Sequence, residues 1–127
     1  MSQRIETFRL DALPKILPFS SAVRIGDTVH VSGQIGHLPG ELKLVPGGLA
    51  AEARQALTYL TQALIAAGAS LDRVVKCTVY FADMADFMAF NEIYAEFFGT
   101  HQPARSGVAV AGLALGARIE IDCVAVI

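Results

Sequence analysis

The amino-acid sequence predicts a two-layer α+β domain, with about six strands in one sheet and two helices packed on one face of it. Three observations carry that prediction. Two stretches, Leu49 to Ala67 and Phe87 to Phe98, repeat apolar residues at three- and four-residue spacing, the period of a helix lying on a core. Most of the remaining chain falls into short apolar or alternating runs of strand length. At 127 residues, with no linker-like stretch rich in Ser, Pro or charge, residues 1–127 fit one domain.

Ile5 to Leu10 reads as a first short strand, ending before the Pro14 to Pro18 segment. Ala22 to Ile25 and Thr28 to Ser32 are extended runs separated by Gly26-Asp27, the signal of a hairpin. A loop follows, punctuated by Pro39-Gly40 and Pro46-Gly47-Gly48. The first helix carries Leu49, Ala53, Leu57, Leu60, Leu64 and Ala67 as its stripe, and Gly68 suits the left-handed position past its end. Arg73 to Phe81 alternates: Val75, Cys77, Val79 and Phe81 are expected on one face, Lys76, Thr78 and Tyr80 on the other. Asp83 can cap the second helix, with Asp86 adding negative charge in its first turn. Phe87, Phe90, Tyr94 and Phe97 or Phe98 make an aromatic stripe expected to be core, and Gly99 ends the helix. Two strands close the chain, Arg105 to Val110 and Arg118 to Val126.

The composition is apolar for so small a chain: 54% hydrophobic and 17% charged, with a mean hydropathy of +0.48. No run approaches the roughly 20 mostly apolar residues of a membrane-spanning helix. The opening residues Met1 to Glu6 lack the apolar stretch of a secretion signal, so a cytoplasmic location is expected. The excess apolar surface is then best covered by further copies of the chain. Val29, Val31, Val108 and Val110 are expected to serve that packing on the face away from the helices. The net charge of −2 comes from scattered residues, which disfavours a nucleic-acid partner. Cys77 and Cys123 sit in apolar runs at no metal spacing and read as buried small hydrophobes. His30, His37 and His101 have no short pairing that suggests a metal site.

The informative segment is Pro103-Ala104-Arg105-Ser106-Gly107-Val108, followed by Ile119-Glu120-Ile121. An arginine opening an apolar strand needs an anion, because a buried guanidinium is costly when unpaired. Its planar fork matches a carboxylate with two parallel hydrogen bonds. Gly107 shares its strand face and leaves room beside it, while Ser106 points the other way. On the residues alone two readings stay open. Arg105 can pair with Glu120 as an internal salt bridge, or it can wait for the carboxylate of a ligand.

Residues 103 to 121, Pro-Ala-Arg-Ser to Ile-Glu-Ile, resemble the signature of the reactive intermediate (imine) deaminase family, also called RidA or YjgF/UK114. Ser32-Gly33-Gln34, Ala53 to Leu57, and Asp86-Phe87 through Asn91, Tyr94 and Phe97-Phe98 extend the resemblance over nearly the whole chain. The resemblance implies a chorismate-mutase-like fold with a mixed sheet, a homotrimer, and sites in the clefts between subunits. It implies hydrolysis of enamines and imines such as 2-iminopropanoate and 2-iminobutanoate to 2-oxo acids and ammonia, with no metal or organic cofactor. Arg105 would hold the substrate carboxylate, Glu120 would orient or deprotonate the attacking water, and the Gly107 N–H could add a hydrogen bond. Ser32 and Asn91 would line the site, unless they only satisfy backbone groups. Where these deaminases often carry a tyrosine, Phe19 keeps the ring without the hydroxyl, and Gly107 stands where they often carry a cysteine. Those two departures motivate an alternative, a regulatory trimer that binds small carboxylates without catalysis. RNA cleavage, an activity attributed to some relatives, fits the residues less well.

Overall fold

The expected elements form, and their connections decide how the sheet is wired. The structure, a computed structural model, describes residues 4–127. Met1, Ser2 and Gln3, part of the opening stretch read above, lie outside the described residues. The elements are β1 (Ile5–Phe8), β2 (Ala22–Ile25), β3 (Thr28–Gln34), α1 (Gly48–Ala66), β4 (Val74–Phe81), α2 (Phe87–Phe98), β5 (Ala104–Ala109) and β6 (Ile119–Val126). The strands lie in the order β1-β2-β3-β6-β4-β5. All neighbours are antiparallel except β4 and β5. A parallel pair cannot be closed by a tight turn and needs a crossover, which α2 supplies. The start of β5 is thereby brought beneath α2, and this placement matters below.

Leu57, Leu60 and Leu64 of α1 are fully buried, each contributing about 1.5–3 kcal/mol by leaving water. They meet Val29 and Val31 of β3 and Ile119, Ile121, Cys123 and Ala125 of β6, all in the core. Val29 and Val31 therefore belong to the helix-covered face, against the expectation that they pack subunits together. The register explains the error: Val31 pairs with Cys123 and Val29 with Ala125, so β3 is in phase with the buried residues of β6. Val108 does lie on β5 away from the core and is 42% exposed.

The register also shifts between Val74 and Lys76, where β4 pairs with β6. The irregularity turns Val74 inward and leaves Val75 exposed, so Val75 does not share the face of Cys77, Val79 and Phe81. The first strand ends at Phe8 rather than Leu10, because the Ser21 N–H bonds the Phe8 carbonyl and the Leu10 N–H turns to the Ser21 hydroxyl. Asp83 caps a short 3-10 turn, Met84–Asp86, by accepting from the Ala85 N–H. Asp86 is not a free charge at the helix start: both its oxygens accept from Arg118, at 3.0 and 2.9 Å. Arg118 thus ties the entry of α2 to the start of β6. Its own N–H bonds the buried carboxylate of Glu52 on α1, at 2.9 Å.

Candidate active site

Arg105 stands opposite Cys77 in the β4–β5 register, and Cys77 is buried on the helix side. Its guanidinium consequently rises under α2. The aromatic spacing of that helix does the rest, since Phe87, Phe90, Asn91 and Tyr94 are three, four and seven residues apart and share one face. The Arg105 Cζ lies 4.6 Å from the Tyr94 ring centre, 5.3 Å from Phe87 and 5.4 Å from Phe90. Each ring offers its negative face to the cation. Asn91 Oδ1 accepts from Arg105 Nη2 at 2.6 Å. The stripe read as core has a double use. Phe90 and Phe98 are buried, and Phe90 meets the cation together with the less buried Phe87 and Tyr94.

Among the described residues the ion pairs are Arg54–Glu96 and Arg118–Asp86, and Arg105 is in neither. The internal bridge to Glu120 is not formed. Glu120 pairs with Tyr80 across β6–β4, and the β5 partner of Tyr80 is Val108, so Glu120 and Arg105 project from opposite faces of the sheet. The guanidinium is steadied by rings and an amide, and no carboxylate among the described residues pairs with it.

Gly107 lies on the Arg105 side: a β-carbon there would stand 3.4 Å from Phe81 and 3.5 Å from Phe87, ordinary contact. A short side chain would fit, so the glycine opens space next to the guanidinium. Ser106 points to the other face, where its hydroxyl is bonded to Lys76 Nζ at 2.7 Å. Below the cage the Cys77 thiol is pushed up by burial, and so is Tyr94, whose hydroxyl is buried without a hydrogen-bond partner. Cys77 and Cys123 are both buried and free, as the sequence suggests.

The other candidates gather elsewhere. Glu120, Ser32 and Phe19 line a cavity of about 430 Å³ together with Gly33 and Leu115. Burial, with Asp122 adding to it, holds the Glu120 carboxyl above its ordinary range. Its position depends on Gly33, where a β-carbon would overlap Glu120 Oε2. The Ser32 hydroxyl donates to the Ser20 carbonyl at 2.6 Å, so it braces the loop as well as lining the cavity. Phe19 is 45% exposed. Its loop is stapled by Arg9, whose guanidinium donates to the carbonyls of Pro14, Leu17 and Phe19.

One protomer therefore holds two half-sets: Arg105, Asn91 and Gly107 under α2, and Glu120, Ser32 and Phe19 at the cavity. Sequence reading missed Arg9, Gly33 and Leu115. A serine-glycine pair at a strand end was visible for Gly33, but the carboxylate that needs it sits on a distant strand. Nothing in the sequence marks Arg9 or Leu115.

Comparison with known proteins adds the following. Residues 10–127 match the family model described as Endoribonuclease L-PSP. The chain is 50% identical over 108 residues to the 2-iminobutanoate/2-iminopropanoate deaminase of Rattus norvegicus, covering 85% of this chain and 79% of that one. It is 48% identical over 109 residues to the deaminase of the same name from Homo sapiens, covering 86% and 80%. Among solved structures, E. coli TdcF with bound serine superposes with a TM-score of 0.86 at 34% identity, covering 96% of this chain and 98% of that one. Yeast Mmf1 superposes with a TM-score of 0.91 at 37% identity, covering 97% and 98%.

Proposed function

The chain belongs to the Endoribonuclease L-PSP family, here also called the RidA or YjgF family, and from that membership we propose an imine deaminase. It is a hydrolase that converts reactive 2-imino acids, and the enamines in equilibrium with them, to 2-oxo acids and ammonia without a cofactor. The observation that carries the mechanism is the Arg105 guanidinium, held by three rings and an amide and paired with no carboxylate among the described residues.

The substrate carboxylate takes the fork of Arg105, with the Gly107 N–H beside it. Fixing the carboxylate fixes the neighbouring C=N carbon, which is already electrophilic when the nitrogen is protonated, so positioning supplies much of the acceleration. Glu120 accepts a proton as water attacks that carbon. Glu120 then returns the proton to the adduct's nitrogen, and the C–N bond breaks. The hydroxyl O–H proton passes to the departing ammonia as the C=O of the 2-oxo acid forms, so ammonium leaves and the carboxylate is restored. A carboxyl whose affinity for a proton is raised by burial is a better acceptor than an exposed one, which suits this exchange.

Arg105 and Glu120 of one copy face opposite ways, which supports a working site completed by a neighbouring copy. The homotrimer with sites between subunits is the assembly we propose. It would also cover Val108 and other exposed apolar residues. No helix is long and apolar enough to cross a membrane among the described residues.

Arg105→Ala tests the reading. Ammonia release from imines made in place by an amino-acid oxidase should lose about a hundredfold or more in kcat/KM, the loss of a charge-assisted hydrogen-bond pair. Unchanged rates would remove Arg105 from the mechanism. Calorimetric titration with a small 2-oxo acid separates the enzyme from a carboxylate-binding regulatory trimer, which would bind without accelerating hydrolysis.

A further inference from the structure

We propose that Arg9 is a positioning residue: its guanidinium serves as an internal cation for the loop between β1 and β2, and so holds Phe19 on the wall beside Glu120. The inference rests on the imine-deaminase reading and concerns a side chain that does not itself line the cavity.

Residues 9–21 carry the chain from β1 to β2 without a helix or strand. Pro14 and Pro18 have no N–H to give, so the loop is short of donors for its own carbonyls. Inside it the Leu13 N–H bonds the Leu10 carbonyl at 3.0 Å, and the Leu17 N–H bonds that of Pro14 at 3.1 Å. Arg9 supplies the rest. Its Nη2 donates to the Pro14 carbonyl at 2.6 Å, and its Nη1 to those of Leu17 and Phe19 at 3.0 and 2.7 Å. Three carbonyl oxygens turned toward one group repel each other unless a positive charge stands among them. Arg9 belongs to neither ion pair of the described residues, so its charge faces backbone alone.

Four residues of this loop, Leu13, Pro14, Leu17 and Phe19, line the cavity that holds Glu120. The carbonyls of the last three are the ones that Arg9 grips, on both sides of Pro18. Phe19 is too exposed for packing to fix it, and the staple does so instead. With the loop in place, water is kept from Glu120 and its carboxyl holds a proton more firmly. With the loop adrift, bulk water reaches that carboxyl and the attacking water loses its fixed direction. The other titratable groups around Glu120 are Asp122 on its own strand, Tyr80 across β4, and His37 and Glu41 on the cavity lining. Asp11 and Lys15 of the loop are exposed and take no part in that lining.

The experiment compares the parent with Arg9→Ala, an exchange at an exposed side chain, on imines made by an amino-acid oxidase in the presence of catalase. We expect kcat/KM to fall about tenfold or more, the scale of a misplaced wall near the reacting atoms. The acid limb of its pH profile should move to lower pH, because a hydrated carboxyl ionises more readily. Loss of a nearby positive charge alone would move that limb the other way. Methylguanidinium should restore part of the rate, and sodium chloride at the same ionic strength should not. The chain has no tryptophan, so Phe19→Trp introduces a single reporter. Adding Arg9→Ala to that variant should shift its emission to the red and increase its quenching by acrylamide. A lower melting point with unchanged kcat/KM, pH profile and reporter emission would overturn the proposal and leave the deaminase standing. An acid limb moved to higher pH would overturn it as well, assigning the loss to charge. A parent that accelerates no imine hydrolysis would remove the deaminase reading and this role together.

Discussion

The proposed chemistry turns on two side chains held in opposite electrostatic settings. Around the Arg105 guanidinium the rings of Phe87, Phe90 and Tyr94 replace part of its lost hydration. Lysine has neither a planar fork nor a flat face to stack, so Arg105→Lys should still lose about tenfold or more in kcat/KM despite the conserved charge. Glu120 is the reverse case, a carboxyl whose ionised form burial disfavours. Its pKa in the fold lies above that of the unfolded chain, so ionisation costs stability. The penalty is absent below the unfolded value and complete above the folded one. Glu120→Gln should therefore melt higher than the parent at neutral pH, with the gain disappearing in acid below the ordinary glutamate range. Hydrolysis should fall sharply in the same variant. Melting curves across pH check the first effect, and a gain that persists in acid would contradict it.

At the scale of elements, Gly36 shows how tightly the loop after β3 packs on α1. A β-carbon there would lie 2.5 Å from the Glu52 Cα and 2.6 Å from its carbonyl oxygen, and backbone cannot swing aside. Gly36→Ala should cost about 1–3 kcal/mol, measurable by denaturant unfolding, with an unchanged midpoint as the contrary result. The elements themselves were largely legible, because α1, the β2–β3 hairpin and β6 each carry a period that only one backbone shape satisfies. The Val75 error arose because an irregular register breaks alternation without leaving a mark in the residues. The stripe of α2 was ambiguous for a different reason: spacing that buries a helix face also arranges rings around a cation. Arg105, Asn91 and Glu120 could be picked out one by one, but their faces could not be related. Phase within a strand is written in the sequence, whereas phase between strands depends on pairing partners.

For the whole molecule, the division of the candidate groups makes a prediction about mixtures. Arg105→Ala and Glu120→Gln copies should each be nearly inactive. Refolded together in equal amounts, they should recover activity, because a site drawing its arginine from one copy and its glutamate from another finds both intact in about a quarter of cases. Additive residual rates with no recovery would place each working site within one chain.

That same division has a consequence for how the protein behaves in dilute solution. If a centre exists only where two copies meet, turnover per chain is not a constant but a function of chain concentration, falling away as copies separate. Association and folding then share one equilibrium, so the thermal midpoint should climb with concentration.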